Sequence, residues 1–183
     1  MMQVEDVFRD LPTLETERTV LRKITINDAK DLFDYCSDEE VARYTSWYPH
    51  QTIDDSFLFI NAVLPLYQEG QISPWGIEHK ETDKLIGTCG FVSWVTKHAR
   101  AEIGYALSRQ YWNQGLMTEI VRNIIDFGFN TMQLVRLEAR CHVDNIASAR
   151  VMEKSGMQLE GILRKHMLIK GEHQDLKLYS IIK

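Results

Sequence analysis

Residues 100–130 read RAEIGYALSRQYWNQGLMTEIVRNIIDFGFN, and the way this stretch divides decides the fold. Residues 101–107 (AEIGYAL) form a strand-like run, and a polar, aromatic turn over residues 108–114 leads to Gly115. From Met117 onward the apolar residues recur at helical spacing, with Ile120, Ile124 and Phe127 inward and Val121 and Ile125 beside them. A strand, a tight turn and a helix N-terminus form an anion site. The first backbone N–H groups of a helix have no intrahelical acceptor, and the helix dipole adds partial positive charge there. Gly115 lets the backbone approach a ligand closely, with no lysine required. Nucleotide-binding loops fit poorly. Gly115 is followed by Leu116 and Met117 rather than Lys-Ser/Thr, and the turn holds one glycine where the dinucleotide fingerprint needs three. A plain strand–turn–helix with a single turn glycine would read the same way.

Working outward, the chain of 183 residues has the size of one core, so a single domain over 1–183 is expected, with residues 1–15 as a loosely held polar lead-in. Residues 17–24 alternate as a strand. Asn27 or Asp28 opens a helix through Ala29, Leu32, Phe33 and Cys36, and residues 38–44 form a second short helix. Thr52 and Asp55 open a third helix, which Pro65 is expected to kink or shorten. Strands follow at 74–79, 85–95 and 98–107, then the helix 118–131, a strand 137–143, a helix 145–155 stopped by Gly156, and two strands near 159–169 and 175–182. This order is α+β with a mixed sheet.

The net charge of −5 lacks the basic signature of a nucleic-acid binder; it suits a cationic partner as readily as it serves solubility. No apolar run approaches the roughly 20 residues needed to span a bilayer, and the start MMQVEDVFRD lacks the plan of a secretory signal. Cys36, Cys89 and Cys141 read as free buried thiols of a cytoplasmic protein. His50, His79, His98 and His142 are scattered without metal-ligand spacing, so no metal is expected.

Four segments, in order, resemble the GCN5-related N-acetyltransferases (GNAT), specifically their RimJ/RimL-like branch. Residues 16–22 (TERTVLR) look like the Thr-Glu-Arg-Leu-x-Leu-Arg opening, and residues 101–105 (AEIGY) like the Glu-Ile-Gly-Tyr strand. Residues 111–115 (YWNQG) are similar to the branch's Tyr-Trp-x-x-Gly form of the acyl-CoA loop. Residues 144–157 (DNIASARVMEKSGM) resemble the Asn-x-x-Ser-x-x-Val-x-x-Lys-x-Gly-Phe helix. Trp112 and Met117 depart from the general loop pattern Gln/Arg-x-x-Gly-x-Gly/Ala. The resemblance covers nearly the whole chain. It implies the GNAT fold: a mixed, mostly antiparallel sheet of six to seven strands, flanked by helices, with a splayed central strand pair for acyl-CoA.

The resemblance also implies roles. Acetyl-CoA is the expected cosubstrate, with Tyr105, Ala106 and Leu107 offering backbone groups to pantetheine and one nearby N–H facing the thioester oxygen. Trp112, Asn113, Gln114, Gly115, Leu116, Met117 and Thr118 would form the pyrophosphate loop. Asn145 caps its helix on any reading and would also bond pantetheine. Ser148 lies on the same face at i+3 and is the candidate acid toward the thiolate, since Met152 occupies the place where many relatives carry a tyrosine; a packing role is the alternative. Glu102, then Glu138, are the candidate bases, unless they are ordinary paired carboxylates; Arg140 stands where protein N-terminal acetylases of the family often place a glutamate.

The expected activity is acetyl transfer to a primary amine, a protein N-terminus before a small amine such as a polyamine, amino acid or drug. A non-catalytic acyl-CoA-binding module is the third reading. Tyr44, Trp47 and Tyr48 could line an acceptor cleft or cover the core. A monomer or homodimer without nucleic-acid or membrane partners is expected.

Overall fold

A computed structural model describes residues 2–183. In chain order the elements are α1 (Val4–Phe8), β1 (Leu14–Glu15), β2 (Thr19–Arg22), α2 (Ala29–Cys36), α3 (Glu39–Ala42), α4 (Ile53–Glu69) and β3 (Trp75–His79). There follow β4 (Lys84–Val95), β5 (Arg100–Leu107), α5 (Leu116–Asn130), β6 (Arg136–His142), α6 (Ile146–Lys154), β7 (Gln158–Ile169) and β8 (Glu172–Ile182). The described strands form one eight-stranded sheet in the order β1-β2-β3-β4-β5-β6-β8-β7. Only β5 and β6 run parallel, and α5 is the crossover that a parallel pair requires. The architecture is the expected α+β sheet flanked by helices. Its strand count exceeds six to seven because the two-residue β1, too short to show alternation, pairs Leu14 with Leu21 and Glu15 with Val20.

The central feature is the place where β5 and β6 part. Their pairing runs from Arg100↔Arg136 to Ile103↔Ala139 and stops. Beyond that point β5 stays paired with β4 as far as Gly87↔Leu107, and β6 with β8 as far as His142↔Leu176. At the same level β4 carries a bulge: Phe91 faces Ile103 and Ser93 faces Glu102, so Val92 is the extra residue. A Cβ at Gly104, beside the bulge, would lie 2.7 Å from Val92 Cγ1, so a side chain there would force Val92 to shift.

Two expectations need correction. Residues 4–8 are not a loose lead-in: α1 buries Val7 and Phe8, the latter fully, and Phe8 meets the rings of Trp75, Phe91 and Trp94 at 6.3, 6.5 and 6.5 Å. Pro12 joins this contact by accepting from Trp75 Nε1 at 2.7 Å. Nor does Pro65 shorten α4, which runs 17 residues. A proline inside a helix costs about 3 kcal/mol. Here the Thr52–Asp55 capping box, the left-handed Gly70 stop and the buried Ile60, Val63 and Tyr67 offset that cost. Elsewhere the inward face expected of α5 is the buried one, including Val121 and Ile125. No described helix is long and apolar enough to cross a membrane.

Candidate active site

Three elements meet at the split: the end of β5 with the loop after it, the N-terminus of α6, and a charged face shared by β5 and β6. The loop is tied down at several points. Trp112 Nε1 donates to Leu107 O at 2.8 Å, folding the turn back onto the strand that precedes it. Asn113 and Gly115 are left-handed, with φ of +60° and +78°, and Gly115 is the N-cap of α5. Arg18 locks the loop from 96 positions away, donating from Nη1 to Gln114 O at 2.9 Å. Its backbone N–H and Nε hold the two oxygens of Glu119 at 3.0 and 2.9 Å. A groove of about 860 Å³ opens beside this corner, lined by Arg18, Gly115, Thr118, Arg122, Asn123 and Lys154 among others.

Leu116 and Met117 turn their side chains into the core, so only their backbone N–H groups face outward. Met117 therefore does not obstruct the loop, although a small residue stands there in the general pattern. The Trp112 ring likewise packs on the core.

Ser108 N–H donates to Ile86 O on β4 at 2.7 Å. By strand alternation, the backbone groups of Tyr105 and Leu107 then point the other way, into the split, where β6 no longer pairs. Trp112 already occupies the Leu107 carbonyl, leaving Leu107 N–H and both groups of Tyr105 along that edge. Ala106 belongs to the opposite parity and faces β4.

Across the split, Asn145 Oδ1 accepts from Ser148 N–H at 3.1 Å, the cap expected for α6. Ser148 Oγ lies 2.9 Å from the Tyr105 phenol, a side-chain contact the sequence reading did not find. Met152 is fully buried in the core.

Glu102 and Glu138 are register partners on neighbouring strands and share one face. Arg140 holds both oxygens of Glu102, its Nε at 2.7 Å and its Nη2 on the other oxygen, while its Nη1 meets His166 Nε2. Glu102 is the main cause of the raised Arg140 pKa, by hydrogen bonding, and burial opposes it. Glu138 is shared between Arg100 (3.2 Å) and Arg136 (2.6 Å), and Arg136 continues to Glu160 at 2.7 Å. Hydrogen bonds from Arg136, then from Ser180, pull the Glu160 carboxyl down to about 2. Glu102 thus stands one strand over from position 140, with Arg140 as its clamp.

Of the candidate acceptor residues, Tyr44 stacks on His142 with centroids 5.1 Å apart. Both line a second cavity of about 280 Å³ with Arg43, Lys170, Glu172 and Gln174. Tyr48 is exposed beneath the Lys170 ammonium, and Trp47 is partly buried against the core. The cysteines are free and buried; burial pushes Cys36 up to about 12 and Cys141 up to about 11. Among the described residues no group of three His, Cys, Asp or Glu could hold a metal ion.

The Arg18–Glu119 tie predicts a pH dependence. Burial alone would raise the Glu119 pKa, but hydrogen bonds from Thr16 and Arg18 outweigh it and the carboxyl titrates below its ordinary 4.5. A depressed carboxyl contributes stability above its unfolded pKa and loses it as pH falls through the folded one. Glu119→Gln is therefore expected to lower Tm by a constant amount above about pH 5, with the gap from the parent narrowing as pH drops below 4.5. Melting curves across pH 3–7 (roughly the carboxylate window) check this; a pH-independent gap would mean the carboxylate is not ionically tied.

Residues 18–158 match the acetyltransferase (GNAT) domain, and the chain belongs to this family of N-acetyltransferases. It is 40% identical over 172 residues to an uncharacterized N-acetyltransferase, YoaA, of Bacillus subtilis (strain 168), covering 94% of this chain and 97% of that protein. The ribosomal-protein-serine acetyltransferase of Escherichia coli (strain K12) is 27% identical over 170 residues, 91% of this chain and 94% of the relative. Among solved structures, RimL, a ribosomal L7/L12 alpha-N-protein acetyltransferase in complex with coenzyme A, shares the fold at a TM-score of 0.81 and 19% identity, over 93% of this chain and 98% of that one. The resemblance to the RimJ/RimL-like branch agrees with these relatives.

Proposed function

We propose that this enzyme takes the acetyl group of acetyl-CoA and transfers it to a primary amine, first of all a protein N-terminal amine, by direct attack on the thioester. The observation that carries this is the split between β5 and β6, with the Gly115 loop at one end and Ser148 over its mouth. Pantetheine amides would pair with the Tyr105 and Leu107 backbone in the manner of an added strand. The pyrophosphate would rest on N–H groups of Gly115, Leu116, Met117 and Thr118, with Asn113 and Gln114 shaping the turn and Arg18, Arg122 and Lys154 supplying positive charge. Asn145 would cap α6 and face the pantetheine. Glu102, oriented by Arg140, accepts the proton shed by the amine; Glu138, already shared by two arginines, is the reserve. The same domain would serve as a cytoplasmic monomer or homodimer without nucleic-acid or membrane partners. The RimL and ribosomal-protein-serine relatives support an N-terminal amine. The small cavity at Tyr44 and His142 favours, as a second reading, a small amine.

The deciding experiment is thiol release from acetyl-CoA against a panel of small amines and peptides with free N-termini. Turnover with peptides alone supports the first reading, and turnover with small amines alone overturns it in favour of the second. Coenzyme A binding with no turnover across both classes counts against the acceptor assignment. With the acceptor found, Glu102→Gln is expected to lower kcat about a hundredfold and to remove the acidic limb of the pH–rate profile. An unaltered profile would move the base to Glu138.

A further inference from the structure

Ser148 sits where both diverging strands face the same helix. Tyr105 lies on β5 two residues beyond the last β5–β6 pair, and Cys141 lies on β6 two residues beyond its own. The Ser148 hydroxyl is 2.9 Å from the Tyr105 phenol. The serine backbone is fixed by Asn145. The phenol has a second partner, the Ser148 carbonyl at 3.2 Å, and this permits two arrangements. If the phenol O–H donates to the carbonyl, its oxygen is left to accept the serine's proton and the serine O–H is turned inward. If the phenol donates to Ser148 Oγ instead, the serine's own O–H is free to donate outward. Burial holds the phenol above its ordinary range, so it stays a neutral donor.

We propose that Tyr105 is a positioning residue for acetyl transfer: its phenol donates to Ser148 Oγ and thereby aims the serine O–H at the thioester sulfur in the split. The proposal rests on the acetyl-CoA reading above. In the step, the acceptor nitrogen forms its bond to the carbonyl carbon, the C–S bond breaks and its electron pair leaves on sulfur. Ser148 gives its proton to that sulfur; Glu102 takes the proton shed by the nitrogen and releases it to solvent, from which Ser148 is reprotonated. The products are an amide and the free thiol of coenzyme A. Tyr105 exchanges no proton; it sets the direction of the serine's.

The test needs no acceptor. Coenzyme A bound to the enzyme is titrated by the ultraviolet band of its thiolate, with the same variant free of coenzyme A subtracted at each pH. A serine O–H aimed at sulfur stabilises the thiolate. Tyr105→Phe, which keeps the ring that packs on the core, is expected to lower the ionisation constant of bound coenzyme A about tenfold, close to the loss of one hydrogen bond to a charge. Ser148→Ala should do at least as much, and Tyr105→Phe should add less than about twofold in the Ser148→Ala background, because the two groups act as one unit. Coenzyme A affinity of the neutral thiol should be the same in all four proteins. With the acceptor in hand, Tyr105→Phe should lower kcat and leave the KM for acetyl-CoA unchanged. A parental titration in Tyr105→Phe beside an altered one in Ser148→Ala overturns the Tyr105 assignment alone, as do fully additive effects. A parental titration in Ser148→Ala overturns the serine's role and this proposal together. Failure of the parent to bind coenzyme A overturns the acetyl-CoA reading itself.

Discussion

Gly115→Glu is expected to raise the dissociation constant for coenzyme A about a hundredfold or more while leaving the fold intact. A hundredfold corresponds to about 2.7 kcal/mol. Two effects act at this position. Gly115 has φ +78°, and a side chain in that left-handed conformation costs about 1–2 kcal/mol. The Cβ itself meets little, its nearest neighbour being Arg18 Nη2 at 3.7 Å, so the strain is not compounded by a clash. The carboxylate then lies at the N-terminus of α5 beside Arg18. It competes there for the same N–H groups and the same positive charge that a pyrophosphate would use. Those contacts are mildly stabilising for the protein alone, which is why the fold survives and the affinity does not. Gly115→Ala carries the strain without the charge and should fall between parent and Gly115→Glu. Calorimetric titration with coenzyme A, alongside circular dichroism, separates the cases. Unchanged affinity in Gly115→Glu would remove the loop from the donor site.

The largest effect on stability is expected from Phe8→Ala. The ring is fully buried among Trp75, Phe91 and Trp94, and truncating such a side chain costs about 3–5 kcal/mol through lost transfer energy and the cavity left behind. At roughly 2–4 °C per kcal/mol for a domain of this size, Tm should fall by about 10 °C. Urea unfolding with an unchanged slope would report the same loss. A change below about 0.5 kcal/mol, the scale of an ordinary surface substitution, would mean that α1 detaches in solution.

What was legible in the sequence was local. The Gly115 turn, the Asn145 cap, the inward stripe of α5 and the Glu-Ile-Gly-Tyr strand are short-range patterns, because turn chemistry, capping and periodicity act between residues a few positions apart. Contacts between distant positions were not legible. Nothing at position 18 announces Glu119, 101 residues on, and nothing in MMQVEDVFRD announces Trp75. A five-residue helix is also too short to establish a period of 3.6. The site divides along the same line. Ser148 was found from its place on α6, whereas its partner Tyr105 was read only for its backbone, since the side chain meets the serine through strand parity and a crossover. Likewise Arg140 looked like a missing carboxylate until the pairing of Glu102 with Glu138 brought Glu102 to it.

The bulge at Val92 works as a phase shift in the alternation of β4. Before it, odd-numbered residues such as Cys89 and Phe91 face the core; after it, the even-numbered Trp94 does. Removing Val92 would let one uninterrupted alternation resume: Ser93 would follow Phe91 and point outward, Trp94 would stay on the core face beside Phe8, and Ser93 and Trp94 would keep Glu102 and Ala101 as partners. What would go is the local bend at the level where β5 leaves β6. Val92, itself largely exposed, is thus a spare residue whose loss the register survives and the bend does not.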